Sequence, residues 1–176
     1  MRNWKALLGV ALVWPALLAG CSSPQSPHPL DDLGAAPAYQ AERLSGGTFD
    51  LQQQAGKPIL LNLWATWCTE CRFEMPRLQH VEDAFASRGL VIAGVSMNGA
   101  GSQQQVRQFV AANNYTYTFL FDADGGAFIP AFHPFGSLGT PPETYLIDKQ
   151  GHVRHAWIGQ FDPDAPANRA LIETVL

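Results

Sequence analysis

Cys68 and Cys71 stand two residues apart in the stretch WATWCTECRFEMP, residues 64–76. A Cys-x-x-Cys pair can be a structural staple, half of a metal site or a redox dithiol. As a staple it would do little, because a disulfide closing so short a loop hardly constrains the unfolded chain. A zinc site would want a second such pair or paired histidines, and the chain has only one other cysteine, Cys21. Two inert core thiols would not stay reduced unaided in an oxidising compartment. Redox chemistry is the reading the spacing favours. The pair lies where an apolar strand pattern gives way to a helical one, which puts Cys68 at the helix N-terminus. There, free backbone N–H groups and the macrodipole stabilise a thiolate. Cys71 falls one turn inside, more shielded, as a resolving thiol.

The elements that must position this pair are legible in the hydrophobic pattern. PILLNLWAT (58–66) is a continuous apolar run of strand length, as in a strand buried on both faces. After Cys71, Met75, Leu78, Val81 and Phe85 recur at helical spacing and Gly89 marks a stop. LVIAGVS (90–96) and TYTFLF (116–121) read as further strands. Between them Ser102 caps a helix whose apolar face is Val106, Phe109 and Val110. GGAFIPAFH (125–133) reads as a short helix or loop, and ETYLID with VRHAWIG as an antiparallel hairpin. The last stretch, 164–176, predicts a helix offering Ala170, Leu171, Thr174 and Val175 to the sheet. A hairpin from YQAERL and TFDL precedes them all. Strands alternating with helices predict an α/β fold with a parallel core and an antiparallel edge.

The chain has 176 residues, 47% hydrophobic and 15% charged, which fits one packed domain with a short extension. Its net charge is -4, and no basic stripe invites nucleic acid. The start, MRNWK followed by ALLGVALVWPALLAG, has the basic and apolar regions of a secretory signal, residues 1–20. It is short of the ~20 apolar residues that span a bilayer, and Pro15 interrupts it. Its LAGC end resembles a bacterial lipobox, in which the cysteine, here Cys21, is acylated. Residues 21–38 are then the lipidated cysteine and a Ser- and Pro-rich flexible tether, and residues 39–176 the domain. With Cys21 lipidated, Cys68 and Cys71 are left to pair with each other or with a partner protein.

NLWATWCTECRFEMP (62–76), the later GTPPETYLID (139–148) and the extra α/β segment between them, 90–121, resemble one family across nearly the whole domain. It is the thioredoxin-like fold and, within it, the TlpA, ResA and CcmG (DsbE) group of extracytoplasmic thiol-disulfide oxidoreductases. The resemblance implies a central mixed sheet flanked by helices, an N-terminal β-hairpin and a central α/β insertion. It implies that Cys68 attacks a substrate disulfide and Cys71 resolves the mixed disulfide, with no cofactor beyond that redox-active pair. Pro142 matches the family's cis-proline, where a substrate segment docks, with Pro141 before it and Trp67 beside the disulfide. Glu74 matches an acid that moves protons for the resolving cysteine. Asn62 stands where thioredoxin carries a buried aspartate, and an amide cannot act as a base. Thr69 and Glu70, inside the motif, tune the couple. An acid beside Cys68 disfavours its thiolate and so makes the pair more reducing, unless Glu70 is exposed and screened. Pro76 should kink the helix by freeing the Arg72 carbonyl.

The implied partners are disulfide-containing proteins, such as apocytochrome c or copper-delivery proteins, and a membrane electron donor. The expected place is the outer face of a membrane, the periplasmic side in a Gram-negative cell. Ser22 after Cys21 resembles sorting to an outer membrane. A disulfide-forming oxidase is the alternative. A copper chaperone using Cys68, Cys71 and a histidine such as His133 is a weaker one.

Overall fold

The structure, a computed structural model, describes residues 30–176; the signal segment and Cys21 lie outside them. Seven strands form one sheet in the order β2-β1-β5-β4-β3-β6-β7. They are β1 (Gln40–Arg43), β2 (Thr48–Asp50), β3 (Ile59–Trp64), β4 (Val91–Ser96), β5 (Thr118–Phe121), β6 (Glu143–Ile147) and β7 (Val153–Ile158). β3, β4 and β5 run parallel, while β6, β7 and the β1–β2 hairpin are antiparallel additions at the two sides. Four helices cover the faces: α1 (Thr69–Phe85), α2 (Gln103–Ala112), the short α3 (Phe128–Phe132) and α4 (Pro166–Thr174). This is the thioredoxin-like α/β architecture that the sequence implied, hairpin and insertion included.

β3 shows why its apolar run is unbroken. Side chains alternate across a strand, so Leu60 and Trp64 join the core under α1 and α4, while Leu61 and Leu63 join the core under α3. All four are fully buried. Each contributes about 2 kcal/mol relative to exposure, enough to fix the register and carry one polar group along. That group is Asn62, 1% exposed, whose amide donates to Thr144 Oγ1 across the β3–β6 ladder at 2.9 Å. Left unpaired it would cost about 1–3 kcal/mol.

α1 buries Cys71, Glu74, Met75, Leu78, Val81 and Phe85, the expected face with one carboxylate added. It runs through Pro76 without a break, then tightens into a 3₁₀ turn that ends at Gly89, whose φ of 94° a side chain would resist.

Three expectations are corrected. Ser102 stands at the start of α2 without capping it, because its hydroxyl donates back to the Gly99 carbonyl at 2.6 Å. In the last stretch Val175, just past α4, is buried and Leu171 packs against the core as expected, but Ala170 and Thr174 are exposed and Ile172 takes the inward place on the helix. Finally, part of the stretch assigned to the flexible tether is fastened to the sheet. The Leu33 N–H donates to Val153, Val153 donates back to Gly34, and the Ala36 N–H donates to Gly151. Asp32 and Asp31 pair with His152 and His155 at 3.0 and 3.3 Å. The unpaired edge of β7 recruits this segment, so packing begins near residue 33 rather than 39.

Candidate active site

Cys68 is the N-cap of α1 and is joined to Cys71 in a disulfide with Cα atoms 5.3 Å apart. Its backbone is extended (φ -78°, ψ 112°), and its Sγ accepts the Cys71 N–H at 3.1 Å. A thiolate released at Cys68 would therefore meet the free N–H groups of the first helical turn, where negative charge is stabilised. Cys68 is 4% exposed and Cys71 1%, so in the oxidised state the motif offers only a sliver of sulfur to a partner.

The loop from β3 to Cys68 is held by a clamp from β4. Asn98 Oδ1 accepts from the Thr66 N–H at 3.0 Å and the Ser96 hydroxyl at 2.9 Å, while Asn98 Nδ2 donates to Thr66 Oγ1 at 2.6 Å. None of these three was singled out from sequence, since nothing in their spacing says that two strand ends meet.

Pro141 and Pro142 are buried and joined by a cis peptide bond. Leu63 faces Glu143 across β3 and β6, so the proline pair and the loop to Cys68 leave the sheet at the same end. Behind the prolines, Glu143 is fully buried. It accepts from the Leu138 N–H at 2.8 Å, the Thr140 N–H at 3.3 Å and the Tyr145 hydroxyl at 3.1 Å. It thus shapes the 138–142 loop. The sequence carried it in plain view inside TPPETYLID, but its inward direction depends on the strand register.

The remaining predicted residues separate. Trp67, expected beside the disulfide, is 62% exposed, while Trp64 is buried in the core cluster that holds both cysteines. Thr69 and Glu70 are exposed, so the charge of Glu70 is screened by solvent. His133 is exposed at the end of α3, and among the described residues no three His, Cys, Asp or Glu side chains gather as a metal site.

Glu74 is 1% exposed, one helical turn beyond Cys71. Its pKa is pushed up to about 8. Burial is the main cause, and a loose approach from the Phe161 backbone and the Arg77 charge oppose it only in part. Among the described residues neither carboxylate oxygen has a hydrogen-bond partner. Phe161, 6% exposed and stacked on Trp157, closes over this region from the loop after β7. That loop is tied to α1 by Arg77–Asp162 at 3.3 Å and His80–Asp164 at 3.0 Å. A dithiol at a helix N-terminus, with a buried acid of near-neutral pKa one turn away, can exchange disulfides and move the proton the exchange requires.

Known proteins resemble this chain. The model of the AhpC/TSA family matches residues 34–156. Thioredoxin-like protein YneN of Bacillus subtilis is 35% identical over 70% of this chain and 69% of its own length. Thiol-disulfide oxidoreductase ResA of Oceanobacillus iheyensis is 30% identical over 93% of this chain and 82% of its own. A crystal structure of a thiol:disulfide interchange protein of the thioredoxin family from Chlorobium tepidum superposes with a TM-score of 0.68 at 25% identity. That match covers 80% of this chain and 94% of the other.

Proposed function

The chain belongs to the AhpC/TSA family and is a thiol-disulfide oxidoreductase of thioredoxin-like fold, and from that premise we propose that it reduces protein disulfides outside the cytoplasm, held at a membrane by lipid on Cys21. The observation that carries the reading is the pairing of the Cys68–Cys71 disulfide at the start of α1 with the buried acid Glu74.

In this cycle the Cys68 thiolate attacks a substrate disulfide and one substrate sulfur leaves as thiolate. Cys71 gives its proton to the Glu74 carboxylate, attacks Cys68 Sγ and expels the second substrate thiolate. Two electrons have passed to the substrate, and the protein is left as disulfide with Glu74 protonated. A thiolate of a membrane electron donor of thiol-reductase type attacks Cys68 in turn, Glu74 protonates the departing Cys71 thiolate, and the donor's second thiol closes the donor's own disulfide and frees Cys68 as thiolate. One acid serves both directions because its pKa lies close to neutral.

Trp67, 62% exposed, and the Pro141–Pro142 turn supply the docking surface for substrate. The substrates are proteins whose cysteine pairs must be free to take haem or copper, the classes the resemblance implies. The signal-like start, LAGC and the Ser- and Pro-rich stretch after it support secretion and anchoring, and Ser22 supports the outer membrane.

Trapping tests the reading. A Cys71→Ser chain offered a disulfide-containing protein should accumulate a mixed disulfide through Cys68, and a Cys68→Ser chain none. Equal trapping through either cysteine would overturn the assignment of roles. Labelling of the full chain with a lipid analogue should be lost on Cys21→Ser; retained label would refute the anchor.

A further inference from the structure

This inference rests on the reading of Glu74 as the proton acceptor of Cys71 and extends it. Glu74 can accept the Cys71 proton only as a carboxylate, so a proton held there by its raised pKa must first leave for solvent, and the residue is 1% exposed beneath the Phe161 loop. The route therefore runs through the protein.

Among the described residues, the buried side-chain atoms without a hydrogen-bond partner include both Glu74 oxygens, Tyr117 OH, Glu82 Oε2 and Trp64 Nε1. These belong to one region. Glu74, Leu78 and Glu82 follow at steps of four along α1 and share its inward flank. The chain before β5 is fastened to the same flank by Gln79, which accepts from the Thr116 N–H and donates to Thr116 Oγ1, both at 2.8 Å. That brings in Tyr117, next in sequence. At Gly94 of β4 a Cβ would lie 3.1 Å from Trp64 Nε1 and 3.2 Å from the Tyr117 ring, so the indole N–H and the phenol converge over a residue with no side chain. Buried polar atoms without protein partners are costly and are ordinarily satisfied by internal water.

We propose that Tyr117 and Glu82, bridged by water, form a buried proton relay between Glu74 and solvent at the flank of α1. In the outward direction Glu74 passes its proton to the Tyr117 oxygen as the Tyr117 hydroxyl passes its own to the Glu82 carboxylate. Glu82, only partly buried, releases it to solvent; the inward direction reverses each transfer. No electron moves, and Tyr117 ends neutral. The charged and titratable groups facing the relay are Arg77 toward Glu74, Asp83 toward Glu82, and Tyr115 toward Tyr117. Burial raises the pKa of all three groups, and the charges of Tyr115, Glu74 and Glu82 push that of Tyr117 further up. Tyr117, 4% exposed, also lines an open cleft of about 500 Å³ with Arg107 and Tyr115.

The test is stopped-flow mixing of the reduced full chain with Ellman's reagent, whose second coloured release reports the attack of Cys71. It is run across pH and in mixtures of H₂O and D₂O. Tyr117→Phe keeps the ring contact with Phe119, 4.2 Å between centroids, and Glu82→Gln keeps the shape of the side chain. Both should slow the second release several-fold. Both should also turn a bowed dependence on deuterium fraction, the mark of several protons in flight, into a straight one. The double variant should be no slower than Tyr117→Phe, since both residues lie on one path. Wild-type rates and isotope dependence in both variants, with Glu74→Gln slow, would overturn the relay and leave Glu74 as the base. A wild-type rate in Glu74→Gln would remove the base and the relay together.

Discussion

Glu74 is the residue at which fold and chemistry pull apart. A carboxyl with a pKa of about 8 in the fold and 4.5 in the unfolded chain binds its proton more tightly when folded. Below pH 4.5 both states hold the proton and the fold bears no ionisation penalty. Between 4.5 and about 8 the unfolded chain ionises first, so the stability present at low pH is lost as pH rises through the folded pKa. The full loss is at most on the order of 5 kcal/mol. Glu74→Gln should therefore raise the denaturation midpoint of the oxidised protein most above pH 8, with the gain fading toward pH 4.5. The same variant should slow release of substrate by Cys71 by about 10²-fold or more, the usual worth of a positioned acid or base. Equal midpoints at all pH values would show that Glu74 is not held neutral by burial. Glu70, by contrast, is exposed, so Glu70→Gln should leave the Cys68 thiolate pKa nearly unchanged by thiol titration. Much of this scale could be read from sequence, because Cys68, Cys71 and Glu74 lie within two turns of one helix and local spacing fixes their relation. The burial of Tyr117 beside them could not, because it depends on how a segment more than thirty residues away docks.

Among the elements, α1 is fixed at its start by its neighbours rather than by its own residues. Asn98→Ala removes an acceptor and a donor from the Thr66–Ser96 clamp. It should cost about 1–3 kcal/mol in denaturant unfolding and slow attack at Cys68, because the N-cap loop loosens. Glu143 plays the matching part for the proline turn. Glu143→Ala strands the N–H groups of Leu138 and Thr140 and the Tyr145 hydroxyl, and should destabilise by about 3 kcal/mol or more. If Glu143 acts only by shaping the turn, mixed-disulfide formation with protein substrates should suffer more than reaction with a small disulfide. Equal losses for both would contradict that role. Element types followed from periodicity, since alternation and the 3.6-residue repeat are local. What failed was finer. Ser102 turns its hydroxyl to donate to the Gly99 carbonyl instead of accepting a helix N–H, and on α4 Ile172 rather than Ala170 or Thr174 takes the inward place.

At the scale of the molecule, the seven-stranded sheet joins two sets of antiparallel strands to a parallel centre. The side on which the hairpin adds is written in long-range pairs such as Glu42 with Phe121, which no local pattern reports. The segment from Leu33 to Ala36 covers part of the β7 edge, a duty that its composition did not announce. Removing residues 30–37 should bare that edge, lower the melting temperature and promote self-association measurable by gel filtration; an unchanged monomer would deny it a covering role.

The central claim, that the chain sends electrons into substrate disulfides, turns on one quantity: the reduction potential of Cys68–Cys71. The full chain carrying Cys21→Ser would be equilibrated in graded thiol buffers and read by the fluorescence of Trp64 and Trp67 beside the pair. Thr69 and Glu70 place no cation within the motif to hold the thiolate, so the account predicts a value of about -220 mV or lower. A value near about -120 mV, that of a strong oxidant, would reverse the electron flow and contradict it.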